Sequence, residues 1–342
     1  MNIQLSILVP VYKVEKYIRP FFESIFRQGL PDDCYEIIVV NDGTPDRSME
    51  VVADLLEQHD NTIVINQENQ GLSAVRNRGI EESRGKYIEF LDADDYLTPG
   101  NMERLLKIAT DNDLDILVFK TRVVEDTIGT STELQEESSP KDFKMSLVII
   151  GVDAELLKTV PEYVLSVNYL LMRRQLYMDL NLRFDTDISY GEDAIVSMQL
   201  FYNSKRVIVT ECDAHRYVNR SSSLCHDRNK KVQTKRVRSY RMSAIQFNTI
   251  NEAYKARSSQ GYELQRQRVN LFAYFYLYGT FTSDIPTSEL REGIGEFREN
   301  GIYPIGGFER FGYTGIKNKI LRTFCNCGWL FIMAHRIYKL ER

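Results

Sequence analysis

Apolar and polar positions in the first third of the chain alternate between two periods. Residues 5–11, 36–41, 62–66, 86–91 and 115–123 are short runs rich in Ile and Val, which predicts strands. Between them, 16–28, 48–58, 73–83 and 101–110 carry apolar residues at helical spacing. Strands alternating with helices of this length predict βαβ units and an α/β fold with a mostly parallel, doubly wound sheet. In such sheets ligands sit beyond the carboxyl ends of the strands. That rule selects which residues to weigh for chemistry.

The pattern then changes. Residues 125–145 are rich in Ser, Thr and Glu and predict a loop. A strand over 166–172, a helix over 192–201 and short strands over 207–210 and 215–218 follow. Beyond about residue 225 the spacing is helical, with long stretches over 231–257 and 262–278 and then a basic tail. The expected organisation is a catalytic domain over 1–225 and a helical C-terminal region over 226–342.

Composition narrows the class. With 43% hydrophobic and 27% charged residues the chain is that of a globular protein, and a net charge of −5 gives no global case for nucleic acid. Seven Lys/Arg without an acid between Arg228 and Arg241, and six basic residues against Glu341 alone from Lys317 to Arg342, are local exceptions. Five cysteines (Cys34, Cys212, Cys225, Cys325, Cys327) form no disulfide-like framework and suit a reducing compartment. No secretory signal opens the chain, and no apolar run approaches the roughly 20 residues of a spanning helix. A cytoplasmic location is expected.

Four polar motifs fall where strands are predicted to end: Pro10-Val11-Tyr12-Lys13; Asn41-Asp42-Gly43-Thr44-Pro45-Asp46; Asn69-Gln70-Gly71-Leu72-Ser73, opening a helix with Arg76 and Asn77; and Asp92-Ala93-Asp94-Asp95. Singly, each has an ordinary reading. Asp-Gly makes turns, Asp92–Asp95 could precede a helix capped near Thr98, and Arg76 suits a surface ion pair. Together, the five carboxylates Asp42, Asp46, Asp92, Asp94 and Asp95 would repel one another if simply buried. A divalent cation resolves that repulsion, and hard oxygen ligands describe a Mg²⁺ or Mn²⁺ nucleotide site.

As an ordered set these motifs resemble the family-2 glycosyltransferases of the GT-A fold, closely over about residues 3–125 and less tightly to about 225. The resemblance implies a Rossmann-like domain that binds a nucleotide diphosphate-sugar, with UDP as the nucleotide. It places Pro10, Val11 and Tyr12 against the base, gives Asp42 a hydrogen bond from uracil, and has Gly71 allow close backbone approach while Arg76 seats the nucleotide. Asp92, Ala93 and Asp94 resemble the DXD element, Asp92 facing the ribose or sugar and Asp94 binding the metal. Asp95 is then either a supporting or a helix-capping acid, and Glu15 stands where members often carry an acid. Tyr190-Gly191-Glu192-Asp193 matches the segment that supplies the catalytic base, implying Asp193 as base and Glu192 as acceptor or support contact. His215, Tyr217 and Asn219-Arg220-Ser221-Ser222-Ser223 resemble loosely the strand and loop that close over the diphosphate, although a packed histidine is the commoner outcome.

The resemblance implies transfer with inversion to a saccharide or lipid-linked saccharide, in bacterial surface-polysaccharide synthesis. A sugar-nucleotide nucleotidyltransferase would carry a Gly-rich loop after its first strand, where this chain has Pro10–Lys13, and no G-x-G-x-x-G supports a dinucleotide enzyme. A non-catalytic saccharide-binding relative would be expected to lose Asp42, Asp92, Asp94 and Asp193. The basic tail, with Ile320, Leu321, Phe324, Trp329, Phe331 and Ile332, fits either a helix lying on the inner face of an anionic membrane or a docked terminal helix.

Overall fold

The structure, a computed structural model, describes residues 3–126, 145–150, 166–220, 229–256, 259–309 and 312–340. These fall into two compact units. The first holds 3–150, 166–186 and 196–220 of the described residues; the second holds 187–195 and 229–340.

In the first unit, strands β1 (Leu5–Val11), β2 (Tyr35–Asn41), β3 (Thr62–Asn66) and β4 (Tyr87–Phe90) alternate with helices α1 (Ile18–Phe26), α2 (Ser48–Leu56) and α3 (Leu72–Glu82). All four strands run parallel, in the order β3-β2-β1-β4. β1, β2 and β4 are buried along almost their whole length, Ser6, Glu36 and Glu89 included, because helices cover both faces. Leu5, Ile7, Val9 and Val11 join a core with Ile18, Phe21, Phe22 and Ile25 of α1. These α1 residues are spaced i, i+3, i+4 and i+7, one face of a helix. On the other face of the sheet, Gly79 of α3 lies against the Leu8 side chain.

Beyond β4 the sheet becomes mixed. α4 (Asn101–Asp111) follows a two-residue strand β5 (Tyr96–Leu97), and β6 (Ile116–Glu125), β7 (Met145–Ile150), β8 (Leu170–Arg173) and β9 (Arg206–Asn219) extend the order to β8-β6-β9-β5, with β7 also on β9. β6 and β9 are parallel, whereas β8 is antiparallel to β4 and β6, and β5 and β7 are antiparallel to β9. The parallel half is the one whose alternating pattern predicts βαβ units. The predicted strand over 166–172 begins instead with a 3-10 turn, Val167–Tyr169, and the short helix α5 (Arg174–Asp179) follows β8. The two short strands expected at 207–210 and 215–218 form one 14-residue strand. Its pairing with β6 shifts register around Lys120, from Val118↔Val209 to Thr121↔His215, so a bulge lies where the apolar pattern breaks.

α6 (Glu192–Asn203) begins in the second unit's segment 187–195. The remaining helices there are α7 (Lys230–Tyr254), α8 (Ser259–Thr282), α9 (Thr287–Glu299), α10 (Ile316–Asn326) and α11 (Gly328–Leu340). Asn229 caps α7 by accepting from Lys231 N at 2.9 Å. Two members of the basic run entering α7 pair within the chain: Arg238 makes a two-pronged pair with Glu289, and Arg241 bonds Glu292 and Glu296 on α9. The predicted loop over 125–145 lies, beyond Asp126, almost wholly outside the described residues.

Candidate functional site

Parallel register brings the first three strand ends level, with Val11 beside Asn41 and Asn41 beside Asn66. The Pro10–Tyr12 turn, the Asp42 turn and the 67–71 loop therefore meet at one edge of the sheet. β4 stops opposite Leu8, and Leu91 N donates to Leu8 O at 3.0 Å, which carries Asp92–Asp95 to that edge. Tyr12 presents an exposed ring there, with Lys13 Nζ 5.0 Å from its centroid.

Asp42 is buried and heavily engaged. Oδ1 accepts from Gln67 Nε2 and Gln70 N, and Oδ2 from Gly71 N, each at 2.8 Å. An ionised carboxylate has about four acceptor positions, so a single position is left for a ligand. The carboxylate also stands at the N-terminus of α3, where negative charge is favourable. Asp46 is a turn former. Burial pushes its pKa upward, but bonds from Ser48, Thr44 and the Glu15 amide outweigh this and hold it below the ordinary carboxylate value. Glu15 in turn accepts from Arg47 N at 3.1 Å. The expected five-carboxylate cluster is thus corrected to three: Asp42 and Asp46 are held by protein donors, and the acids that converge among the described residues are Asp92, Asp94 and Asp95.

Asp92, Asp94 and Asp95 do converge, with one carboxylate oxygen from each within 4.8 Å of the others. Asp92 accepts from Asn168 Nδ2 at 2.6 Å and faces Arg76 at 3.6 Å. Arg76 is itself buried, its guanidinium 5.3 Å from the Phe184 ring centroid and 5.9 Å from that of Phe90. It is not the surface ion pair of the ordinary reading. Asn77 exchanges two hydrogen bonds with the Phe184 backbone and so fixes that ring over Arg76. Ala93 is buried between the acids.

Asp94 pairs with Arg220 at 2.5 Å, and Arg220 lies over the Tyr17 ring. Burial, then the carboxylates of Asp95 and Asp92, push Asp94 up to about 7 against the pull of Arg220. Asp95 is directed toward β9: Oδ1 accepts from Val218 N at 2.9 Å, and Oδ2 lies 3.4 Å from His215 Nε2. Its pKa is also raised, by burial foremost, with His215 opposing. His215 bonds Thr121 through Nδ1 at 2.8 Å and packs edge-on against Tyr169, so it is the packed histidine expected and also braces Asp95. Asp92 and Asp94 keep 26% and 18% of side-chain exposure against 2% for Asp95. They are the accessible pair, and Asp95 is their support rather than a helix cap: α4 starts after a left-handed Gly100 with no side-chain cap. Two or three hard oxygens with excess negative charge fit a divalent cation.

Asn168, in the 3-10 turn before β8, and Thr121, in β6, carry no sequence signal beyond being polar. Ser221–Ser223 lie outside the described residues.

Glu192 and Asp193 occupy the first turn of α6, in the second unit. Glu192 is buried, and Asp193 Oδ1 accepts from Ala194 N at 2.7 Å. The segment is clamped to α7: Ser239 Oγ accepts from Ser189 N, and Ser243 Oγ donates to Tyr190 O. Gly191 has φ +94°, and a Cβ there would meet Ser243 Oγ at 2.9 Å and the Phe272 ring at 3.0 Å. Only glycine fits that turn.

The family model described as Glycosyl transferase family 2 matches residues 6–179, just over half of the 342-residue chain. The uncharacterized glycosyltransferase EpsJ of Bacillus subtilis (strain 168) is 36% identical over 222 residues, 64% of this chain and 62% of its own. The poly(ribitol-phosphate) beta-N-acetylglucosaminyltransferase TarS of Staphylococcus aureus (strain Mu50) is 23% identical over 222 residues, 64% of this chain and 36% of its own. The matches thus span less than two thirds of these relatives. The crystal structure of S. aureus TarS 1–349 in complex with UDP-GlcNAc aligns with TM-score 0.64 at 17% identity, covering 99% of this chain and 91% of that one, a likeness of fold. The mannosyltransferase PcManGT from Pyrobaculum calidifontis, in complex with GDP-Man and Mn²⁺, aligns at TM-score 0.52 and 13% identity, covering 100% of this chain and 87% of that one.

Proposed function

The chain belongs to glycosyl transferase family 2, and on that premise we propose that it transfers a sugar from a UDP-sugar to a saccharide or lipid-linked saccharide, with inversion. The observation that carries the reading is the partly exposed Asp92–Asp94 pair, backed by Asp95, at the edge where the parallel strands end. The TarS structure with UDP-GlcNAc supports the choice of donor nucleotide, and the PcManGT complex supports Mn²⁺ or Mg²⁺ as the ion.

In this reading Asp94, with Asp92 beside it, holds the divalent ion. A bound ion supplies charge stabilisation for the departing diphosphate. Pro10, Val11 and the exposed Tyr12 ring receive the base. Asp42 acts mainly by fixing the 67–71 loop, with its last acceptor position for uracil N–H. Arg76 keeps Asp92 in place from beneath. Asp193 removes the acceptor proton, with Glu192 as support, and one base without an enzymatic nucleophile gives single displacement and inversion. A lipid-linked acceptor would place the enzyme at the inner face of the cell membrane.

A donor screen reading nucleotide release, with Mn²⁺, Mg²⁺ and chelator, tests this. Turnover is expected with a UDP-sugar and metal, and calorimetry is expected to show UDP binding tighter than GDP. Full transfer in excess chelator would remove the metal from the reading, and tighter GDP binding would overturn the donor.

A further inference from the structure

The two C-terminal helices carry apolar residues on opposite faces, and only one face is covered. At about 100° per residue, Phe331, His335 and Tyr338 of α11 share one side. They dock: Phe281 of α8 meets Phe331, His335 and Tyr338 at ring distances of 5.2, 5.1 and 5.4 Å. His335 is fully buried between Thr287 Oγ1 at 3.0 Å and the Thr280 carbonyl at 3.2 Å. Phe331 is therefore an internal anchor, as the docked alternative for the tail has it.

The opposite side of α11 is Trp329, Met333, Ile337 and Leu340, all exposed, with Trp329 at 75% and Leu340 at 79%. α10 repeats the arrangement. Cys325 is buried, while Ile316 and Ile320 on the other side are 77% and 63% exposed. Large side chains left in water in such a row mark an interaction surface. What covers it follows from charge. Residues 316–340 contain five Lys/Arg and no acid. Arg322 is paired with Glu309 and Lys339 reaches the Ser283 carbonyl, but Lys317, Lys319 and Arg336 are exposed beside the apolar rows. An apolar row edged by cations matches the headgroup region of an anionic bilayer. α11 has 13 residues, about 20 Å of helix, so it fits in that plane and not across it. No described helix is long and apolar enough to span.

We propose that α10 and α11 form a pre-docked membrane-facing pair, inserting Ile316, Ile320, Trp329, Met333, Ile337 and Leu340 into an anionic membrane surface while Phe331 and His335 keep them fixed to the helical unit. The docked and the membrane-bound readings of the tail are then two faces of one structure. The inference deepens the proposed lipid-linked acceptor, but membrane binding is measured without donor or acceptor. Its failure leaves sugar transfer standing, and absent transfer leaves the binding standing.

Trp329 is the chain's one tryptophan, so its emission reports the face directly. Full-length protein is mixed with phosphatidylglycerol–phosphatidylcholine vesicles or with phosphatidylcholine alone. A blue shift and co-sedimentation are expected with the anionic vesicles only, falling as salt rises. Each basic residue near such a surface is worth about fivefold in binding, so Lys317→Gln, Lys319→Gln and Arg336→Gln together are expected to weaken it about a hundredfold. Met333→Ser with Ile337→Ser is expected to abolish the shift with an unchanged unfolding midpoint, because both side chains are exposed. No shift with anionic vesicles would overturn the proposal. So would a shift that needs no vesicles but tracks protein concentration, with doubled mass in light scattering, since the occupant would then be a second copy of the chain.

Discussion

Glu89 lies within β4, fully buried, and neither of its carboxyl oxygens has a hydrogen-bond partner among the described residues. Burial alone drives its pKa well above the ordinary 4.5. Between those two values the folded chain keeps a proton that the unfolded chain releases, so stability declines as pH rises above about 4.5 until the folded group ionises. Glu89→Gln is expected to remove that slope and to raise the unfolding midpoint at pH 7 relative to the parent. Denaturant titrations from pH 5 to 8 on both proteins check it, and parallel pH profiles would show that Glu89 keeps its charge through an unseen partner. Asp42 is the reverse case, a carboxylate whose burial is compensated. In Asp42→Asn one amide N–H₂ must point at a backbone N–H, either Gln70 or Gly71, and a bond to a charged acceptor is lost, at about 2 kcal/mol. Stability and UDP affinity are expected to fall together, as unfolding and calorimetry would show; a drop in affinity alone would mean that Asp42 serves the ligand more than the loop. In the sequence Asp42, Asp46, Asp92, Asp94 and Asp95 are equivalent acids. What separates them is the count of donors reaching each, and those donors come from residues 25 to 126 positions away or from a neighbouring turn. No local pattern encodes that count.

At the scale of elements, the turns that carry the site were legible because their geometry requires particular residues. Gly43 and Gly71 have φ of +61° and +88°, where a side chain is strained. Their surroundings differ, which separates two effects. A Cβ at Gly71 meets nothing within 4 Å, so Gly71→Ala is expected to cost only the backbone term, about 1–2 kcal/mol. At Gly43 a Cβ would also lie 3.1 Å from Asn69 N and 3.3 Å from Gln67 O, so Gly43→Ala is expected to cost more and to displace the 67–71 loop. Urea titration should rank Gly43→Ala below Gly71→Ala, with UDP affinity reduced in the former. Equal losses would show that the loop yields freely. Elements that depend on remote pairing were less legible. β9 reads as two strands because residues 211–214 break its pattern, yet that bulge brings His215 level with Leu97 and beneath Asp95. α9 has its apolar face on Leu290, Gly293, Ile294 and Phe297, a stripe too interrupted by charge to stand out before Arg238 and Arg241 supply partners for its acids.

Across the whole molecule, the residues assigned to donor and to acceptor belong to different compact units. Asp92, Asp94 and Asp95 with their supports Asn168, Arg220 and His215 are in the first, and Glu192 and Asp193 are in the second, held to α7 through Ser239 and Ser243. The sequence order hides this, because 187–195 interrupts the first unit's chain. The division makes the proposed roles separable by experiment. Asp94→Asn removes a ligand of the proposed ion, so metal-dependent UDP binding and transfer should fall together. Asp193→Asn leaves every described contact of the Asp92–Asp95 cluster in place, so UDP and metal affinity should be retained while single-turnover transfer drops about 10²–10⁴-fold, the usual worth of a general base. Binding kept and turnover lost marks a group that acts in the transition state. Glu192→Gln should be milder, since Glu192 is buried and is proposed as support. If Glu192→Gln were the inactive variant with binding intact, the two roles would be exchanged. If Asp193→Asn instead lost UDP binding as Asp94→Asn does, Asp193 would belong with the metal ligands, and the base would have to be another residue.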